Sequence, residues 1–420
     1  MLNLSLNFIK KLKKFFFPFY KHKELKFIFK TLHKDFSNKK ILARFVGGCV
    51  RKHLLGEAID DIDVSTILTT DEIKERFKGT NLKIVDTGLK HGTVTLISGK
   101  HKVEITTLRK DKKTDGRHAE IEYTDNWQLD SERRDFTINA IYLDINGKIF
   151  DPQMGTVDLE NKNVKFIGDP QKRIEEDYLR IIRFIRFKIM YDTNVETATS
   201  DIIKQNLNGI KKISKERILV ELLKILSLKN FFRINENKNL REIFNMIFPE
   251  FLYLDRLERL KKVYSHNQLN KDIILATILI DEKDNHEYFG HKYNISNKLK
   301  NDLDNLASNL NEIQKNKDFF YKDLLKNIYI YGKNNLISLN FINFTINSKI
   351  KLQDFSEIFK RITKSNVPKF HINGEYLKRN GMSEGTSLGK VLKTIEEEWI
   401  KNGFKISDEK IKELIRSNLN

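Results

Sequence analysis

The sequence lacks several features that would place the protein in common classes. Cys49 is the only cysteine among 420 residues, which excludes intramolecular disulfides and zinc sites built from cysteines, and it fits a reducing cytoplasm. No apolar run approaches the roughly 20 residues that cross a bilayer, so the sequence predicts no membrane span. No His-Asp dipeptide occurs, which argues against an appended HD-type phosphohydrolase.

Basic residues dominate the charge of the chain. Lys and Arg number 76 against 57 Asp and Glu, which gives a formal net charge of +19. A chain this basic usually meets a polyanion such as RNA. An AT-rich genome would also enrich Lys, Asn and Ile, so the charge supports a nucleic-acid partner without establishing one. The length predicts more than one domain and a sizeable core.

The chain is organised around residues 44–66, which are predicted to form a strand, a glycine pair, a helix and a second strand. The second strand carries Asp61 and Asp63. Alternate residues of a strand share a face, so both carboxylates point the same way. Two hard oxygen groups side by side are the ligands that Mg²⁺ prefers. Metal ions held there would activate an attacking hydroxyl and neutralise a triphosphate.

The glycine pair, Gly47-Gly48, precedes a predicted helix at residues 49–55. The free N–H groups and positive end of such a helix suit a phosphate, and Arg51 adds a charged fork in its first turn. Each piece alone is common, since a DxD is usually a solvated turn and a glycine pair usually a simple turn. Together they predict a nucleotide site with Asp61 and Asp63 as catalytic metal ligands and Gly48 and Arg51 as nucleotide contacts.

This combination resembles the active-site signature of the polymerase-beta nucleotidyltransferase superfamily, in particular the class II tRNA CCA-adding enzymes and bacterial poly(A) polymerases. The resemblance runs from Phe45 to about Leu226, and more loosely over a glycine-spaced pattern at residues 373–404. Lys52 departs from it, because the family usually has Asp there. The resemblance implies an α+β fold, with a polymerase-beta-like head of a small mixed sheet and helices followed by all-α neck, body and tail.

The domain division that follows has four parts. Residues 1–22 are a basic leader, expected to be poorly ordered or loosely packed. Residues 23–155 form the catalytic head and residues 156–226 the helical neck. Residues 227–420 form the body and tail, expected to bind tRNA. Within the head, we predict a helix at residues 71–78 capped by Thr70, and strands at residues 82–85, 93–97 and 102–108.

Two further features of the head have open interpretations. Glu104 projects from a strand that is able to lie beside the DxD strand, and it is either a third carboxylate near the metal or a structural residue. Residues 109–125 are charged and aperiodic and are predicted to be a mobile loop. Members of the family use a loop with a DGR-like core here in adding the terminal A, and residues 115–118 match that core, with Arg117 as a candidate contact.

The string ERRDFTINA at residues 132–140 is close to the family's most recognisable motif. Two arginines beside an aspartate are able to clamp phosphate, whereas the plain alternative is a surface charge cluster that opens a helix. By resemblance Arg134 contacts the nucleotide, and Asp135 and Asn139 order the site. Arg133 is a further candidate.

Residues 170–190 are predicted to form one continuous helix. Charged residues recur along this helix at three-residue steps: Asp177, Arg180, Arg183 and Arg186. They are either a solvated, ion-paired face or the family's EDxxRxxRxxR motif. A carboxylate accepts from the exocyclic amine of cytosine or adenine, and a guanidinium donates to the ring nitrogen. Guanine and uracil reverse that order, which leaves polar groups unpaired. Asp177 and Arg180 are therefore predicted to select the base, and the other two arginines to bind phosphate or support them.

The resemblance implies template-independent addition of C, C and A to the 3′ end of tRNA from CTP and ATP with Mg²⁺. The motif at residues 213–222, which contains Arg217, is expected to be a structural joint. No membrane or obligate protein partner is evident, and a cytoplasmic location is expected. The alternatives are a poly(A) polymerase or A-adding enzyme of the same family and, more remotely, a non-catalytic RNA-binding module.

Overall fold

The computed structural model describes residues 18–34, 40–88, 92–99, 101–114, 119–263, 271–281 and 283–417. The chain divides into two compact units, residues 1–249 and residues 250–420. The predicted head and neck lie in the first unit, together with the beginning of the predicted body. Most of the predicted leader lies outside the described residues, but Phe19–Lys21 forms a 3₁₀ helix. The Phe19 ring packs 4.9 Å from that of Phe45, between ring centroids.

The head combines short helices with a run of consecutive strands, as expected of an α+β fold. Its elements are α1 (Lys23–Leu32), β1 (Ala43–Val46), α2 (Gly48–Leu55), β2 (Ile62–Thr66), α3 (Thr70–Phe77), β3 (Lys83–Gly88), β4 (Thr93–Ser98), β5 (His101–Thr107), β6 (Arg109–Thr114), β7 (Ala119–Tyr123), α4 (Trp127–Glu132), a 3₁₀ helix (Thr137–Asn139), β8 (Tyr142–Leu143), β9 (Ile149–Phe150) and α5 (Gly155–Glu160).

Seven of these strands form one mixed sheet in the order β3-β4-β5-β2-β1-β8-β9. The central pair, β2 and β5, is parallel, and the other neighbours are antiparallel. Val64 on β2 and Ile105 on β5 are buried, as are Leu25 and Ile28 of α1. Burial of these apolar side chains fixes the register of the strands, and with it the face on which their polar residues lie.

Two local predictions for the head are wrong. The described parts of residues 109–125 include two strands instead of a continuous loop, because β6 and β7 pair as an antiparallel hairpin. Two of the charges that suggested a solvated loop, Lys110 and Glu122, form a 3.0 Å ion pair across it. Helix α3 is capped by Thr69 rather than Thr70, since the Thr69 hydroxyl accepts from the N–H of Glu72.

The neck contains α6 (Pro170–Glu176), α7 (Leu179–Tyr191), α8 (Thr197–Asn206) and α9 (Lys215–Leu226), and α10 (Lys238–Ile247) completes the unit. The predicted continuous helix is therefore wrong, because the backbone is extended at Asp177, with φ −156° and ψ 104°. The Asp177 carboxylate accepts from the Leu179 N–H at 3.1 Å, a local bond that competes with helix. The Tyr178 ring lies against Gly209, where an added Cβ would fall 2.0 Å from it.

The second unit is helical throughout its described residues. Its helices are α11 (Arg256–Val263), α12 (Lys271–Leu279), α13 (Asn285–Tyr293), α14 (Asn297–Lys315), α15 (Leu324–Tyr331), α16 (Lys333–Ile346), α17 (Leu352–Lys364), α18 (Gly374–Arg379), α19 (Thr386–Lys401) and α20 (Asp408–Arg416). Near its end, Leu377, Val391 and Ile411 belong to one buried apolar cluster. In the part of the chain that the structure describes, no helix has the length and apolar character to cross a membrane.

Candidate active site

The two predicted catalytic carboxylates lie at the start of β2, at the centre of the sheet. Asp61 is exposed immediately before the strand, and Asp63 is half-buried within it. Asp63 is the direct neighbour of Glu104 in the β2–β5 register, so the expected proximity of Glu104 is confirmed. Lys102, on the same strand as Glu104, forms an ion pair with it at 2.6 Å.

Negative charge concentrates around Asp63. Burial, followed by the charges of Glu104 and Asp61, raises the pKa of Asp63 to about 6, against the lowering effect of Arg134 and Lys102. Asp61, Asp63 and Glu104 do not form a three-ligand cluster among the described residues. The donor set fits Mg²⁺ as two hard carboxylates with a third negative group nearby, and a cation there would relieve the repulsion that raises the Asp63 pKa.

A glycine turn brings the start of α2 to the same place. Gly47 adopts φ +71°, and a Cβ there would lie 3.8 Å from Asp63 Oδ2 and 4.0 Å from Arg134 Nη1. A positive φ favours glycine. Glycine at position 47 therefore permits both the turn and its close approach to the Asp63 carboxylate. A Cβ on Gly48, the first residue of α2, would meet no atom within 4 Å. The beginning of the helix is therefore open beside Asp63.

Arg134 is held on the face that carries Asp63. Its guanidinium donates to the hydroxyls of Ser65 at 3.0 Å and Tyr142 at 3.1 Å, and to Asp130 Oδ2 at 3.1 Å. Ser65 lies two residues after Asp63 on β2, so the two side chains share a face. Arg134 is thereby placed beside the carboxylates, where the sequence predicts a nucleotide contact.

Asp130 supports this placement and was missed by the sequence analysis. It is fully buried and also pairs with Arg133 at 2.8 Å. Burial raises the pKa of Asp130, but the charges of Arg134 and Arg133 outweigh that effect and bring it to about 2. Asp130 lies on α4, three and four residues before Arg133 and Arg134, which directly follow the helix. This spacing was the available sequence signal, because residues three or four apart meet on one helix face.

A chain of buried polar contacts joins the ERRD motif to the neck. Asp135 accepts from Asn139 at 2.8 Å and from Arg183 at 2.7 Å, and Asn139 accepts from Arg51. The Arg183 and Asn139 partners hold the pKa of Asp135 at about 2, although burial raises it. The expectation that Asp135 and Asn139 organise the site agrees with these bonds, since each links two other groups.

The same chain continues to Glu221 on α9, which is buried. Glu221 pairs with Arg186 at 2.7 Å and with Arg183 at 3.6 Å. Three of the predicted nucleotide contacts, Arg51, Arg183 and Arg186, are thus engaged with side chains of the protein. These partners lie far away in the chain, so the sequence motif alone does not reveal them.

The side chains of the two predicted base-selecting residues are each paired with a different residue. Asp177 Oδ2 pairs with Arg217 at 2.7 Å, whereas Arg180 pairs with Glu176 at 2.5 Å and donates to the carbonyl of Arg173. Arg217 belongs to the motif expected to be only a joint, and its contact with Asp177 was missed.

Contacts from the neck also hold the backbone of the ERRD motif. Arg173 donates to the carbonyls of Glu132 and Arg134 at 2.9 and 2.7 Å, and Arg180 donates to that of Arg133 at 3.3 Å. The residues of the predicted DGR-like core, with Arg117, lie outside the described residues, although the hairpin strands that flank them are described.

Comparison with known proteins gives a consistent result. Residues 43–165 match the family model described as the poly A polymerase head domain, and residues 193–254 match a probable RNA and SrmB-binding site of polymerase A. The chain is 31% identical to the mitochondrial CCA tRNA nucleotidyltransferase 1 of Mus musculus, over 92% of this chain and 89% of that protein. It is 32% identical to the CCA-adding enzyme of Staphylococcus haemolyticus, over 84% and 88%.

Solved structures share the fold. The CCA-adding enzyme of Bacillus stearothermophilus, solved in complex with CTP, superposes with a TM-score of 0.63 at 21% identity, over 90% of this chain and 93% of that one. The α+β head and helical remainder expected from the sequence are therefore confirmed.

Proposed function

Because the chain belongs to the CCA tRNA nucleotidyltransferase family, we propose that it adds C, C and A in turn to the 3′ end of tRNA. The substrates are CTP and ATP, and no nucleic-acid template is used. The attacking group is the 3′-hydroxyl of the RNA, which displaces pyrophosphate from the α-phosphate of the nucleotide.

One observation carries the chemical part of this proposal. The Asp61 and Asp63 carboxylates lie beside the open start of α2 and the guanidinium of Arg134. This arrangement combines a place for cations with two features that bind phosphate, a helix N-terminus and an arginine fork. A site for nucleotidyl transfer needs the same combination at the α-phosphate.

The proposed cofactor is Mg²⁺, held by Asp61 and Asp63. When bound, Mg²⁺ neutralises the triphosphate and makes the attacking hydroxyl more acidic. Gly48 and the residues after it would present backbone N–H groups to the phosphates, and Arg134, whose Nη1 lies beside the Gly47 turn, would help to orient them. Most of the rate enhancement comes from positioning and from electrostatic groups that are already in place.

The remaining arginines have a positioning role in this proposal. Arg51 and Arg183 bond to Asn139 and Asp135 and so fix the ERRD motif that presents Arg134. Arg186 pairs with Glu221, which also contacts Arg183. They therefore influence nucleotide binding through other side chains.

Asp177 and Arg180 are proposed to choose the base. Both oxygens of Asp177 already accept bonds, from the Leu179 N–H and from Arg217. A cytosine or adenine amine must compete with Arg217 for this carboxylate, so binding of the correct base exchanges one partner for another. A guanine or uracil offers no amine at that position, and the exchange is then unfavourable.

The proposed acceptor is tRNA, with the head at residues 23–155, the neck at residues 156–226 and the remainder providing basic surface. Phosphate contacts from Lys and Arg would make binding fall steeply with salt. The high positive charge of the chain agrees with such a surface.

The proposal is tested by extending tRNA transcripts that end one, two or three nucleotides before the CCA terminus is complete. Each nucleotide is supplied singly and in mixtures with Mg²⁺, and products are read at single-nucleotide resolution. The expected result is addition of C, C and A followed by a stop, with turnover lost in Asp61→Ala and Asp63→Ala. Addition of A alone to the transcript ending in CC, or long A tails on any RNA, would contradict the proposal.

A further inference from the structure

A second group of metal-ligating side chains lies away from the catalytic carboxylates. It consists of His22, which caps α1, Glu24 in the first turn of α1, and His101, the first residue of β5. One ligand atom from each residue lies within 4.8 Å of the other two, and in the described ranges no other three residues of this type are so close. The two imidazole rings have centroids 4.8 Å apart.

The carboxylate of Glu24 has an unusual environment. Its Oε2 is shielded from solvent and has no hydrogen-bond partner, and its nearest cationic candidate is His101 Nε2 at 3.9 Å. The shielded carboxylates Asp130 and Glu221, by contrast, are each paired with arginine. The side chain of Glu24 as a whole is 38% exposed, but a shielded oxygen without a partner is unfavourable, and a bound cation would supply the missing partner.

Gly99, which directly follows β4, lies beside the group. It has φ +53°, and a Cβ there would lie 3.4 Å from Glu24 Oε1. Glycine at this position therefore leaves room for the carboxylate, while the group as a whole stays accessible from solvent.

We propose that His22, Glu24 and His101 bind a divalent transition-metal ion of the Zn²⁺ type. Two imidazole nitrogens and one carboxylate oxygen are ligands that such ions accept, whereas Mg²⁺ prefers oxygen alone. Ligand bonds of about 2.0–2.1 Å place tetrahedral ligands about 3.4 Å apart. The observed 3.9 Å between His101 Nε2 and Glu24 Oε2 shortens by small side-chain rotations, and water takes the fourth position.

This site is separate from the catalytic one because of strand alternation. His101 and Glu104 are three residues apart on β5, so they lie on opposite faces of the sheet, and Glu104 is the neighbour of Asp63. Metal bound by the histidines would tie the start of α1 to β5. It would stabilise the packing of α1 without contributing to the chemistry at Asp63.

The test titrates the full-length protein, stripped with EDTA, with ZnCl₂ by calorimetry, and follows the melting temperature with and without Zn²⁺. With excess Mg²⁺ present to occupy Asp61 and Asp63, the expected result is one equivalent of saturable Zn²⁺ binding and a higher melting temperature. His22→Gln, Glu24→Gln and His101→Gln should each weaken binding at least about tenfold. Co²⁺ should give visible d–d absorption that the same variants lose.

Two controls make the result specific. His291→Gln, which alters an exposed histidine of the second unit, should bind Zn²⁺ as the unmodified protein does. Asp63→Asn should also retain binding, since it changes only the catalytic face. Circular dichroism in EDTA confirms that each variant is folded. Unchanged affinity in the three site variants, or loss of binding in Asp63→Asn alone, would overturn the proposal.

Discussion

Replacing Asp63 by asparagine should make the metal-free protein more stable while removing its activity. The carboxylate of Asp63 is half-buried, and burial together with the charges of Glu104 and Asp61 raises its pKa to about 6. Asparagine has nearly the same shape and no charge. The variant therefore keeps the packing of β2 and loses the repulsion, but it also loses a proposed metal ligand.

The magnitude follows from the pKa. The difference between 3.8 and about 6 corresponds to about 3 kcal/mol, at 1.36 kcal/mol per pKa unit. The pKa is higher in the folded protein, so folding takes up a proton between these values. The stability that protonated Asp63 contributes is fully present below pH 3.8 and is lost as the pH rises through about 6. Solvent around the half-buried group reduces the effect, and we expect about 1–3 kcal/mol at pH 8.

The measurement is urea unfolding of both proteins in EDTA. The chain has two tryptophans, so a Trp399→Phe background leaves Trp127, on α4 of the head, as the fluorescent reporter. The Asp63→Asn variant should unfold at higher urea at pH 8, and its advantage should shrink as the pH approaches 4. Saturating Mg²⁺ should stabilise only the protein that retains Asp63.

Asp61→Asn provides the matched control, because this neighbouring carboxylate is exposed and its replacement should change stability much less. Equal stability of the Asp63→Asn and unmodified proteins at pH 8, or a difference that does not vary with pH, would refute the reasoning.

Three further predictions concern other parts of the first unit. Asp177→Ala should relax the choice among the four nucleotides more than it weakens RNA binding, measured as kcat/KM for each nucleotide; unaltered selectivity would exclude its role in base choice. Glu221→Gln should lower the free energy of unfolding by about 3–5 kcal/mol, because it leaves Arg186 buried without its counter-charge, whereas Arg183 keeps Asp135; a loss below 1 kcal/mol in urea titration would contradict this. Burial raises the pKa of Cys49 to about 12, so iodoacetamide at pH 8 should label the unfolded chain and spare the native one by mass spectrometry; rapid native labelling would show that the thiol is accessible.

Local patterns were sufficient to place the catalytic strand. The alternation around Asp61 and Asp63 and the apolar character of residues 102–108 depend on neighbours in sequence, and the structure pairs Asp63 with Glu104. The glycine pair likewise predicts the turn and helix that follow, since a positive φ at Gly47 is a local requirement.

Interactions distant in sequence account for the errors. An apolar stripe runs through residues 170–190 without a gap, but Asp177 is extended and pairs with Arg217, 40 residues away. The pairing of Arg183 with Asp135, 48 residues earlier, was missed because helical periodicity carries no signal for it. The hairpin that replaces the predicted loop likewise depends on pairing across strands.

The buried contacts between the ERRD motif and the neck determine where the chain can be cut without breaking ion pairs. Cutting the chain at the predicted boundary after residue 155 would separate Asp135 from Arg183 and the carbonyl of Arg134 from Arg173. Asp135 in one fragment and Arg183 in the other would each lose this partner. A transplanted or minimised catalytic fragment must therefore include both head and neck, ending no earlier than the unit boundary at residue 249.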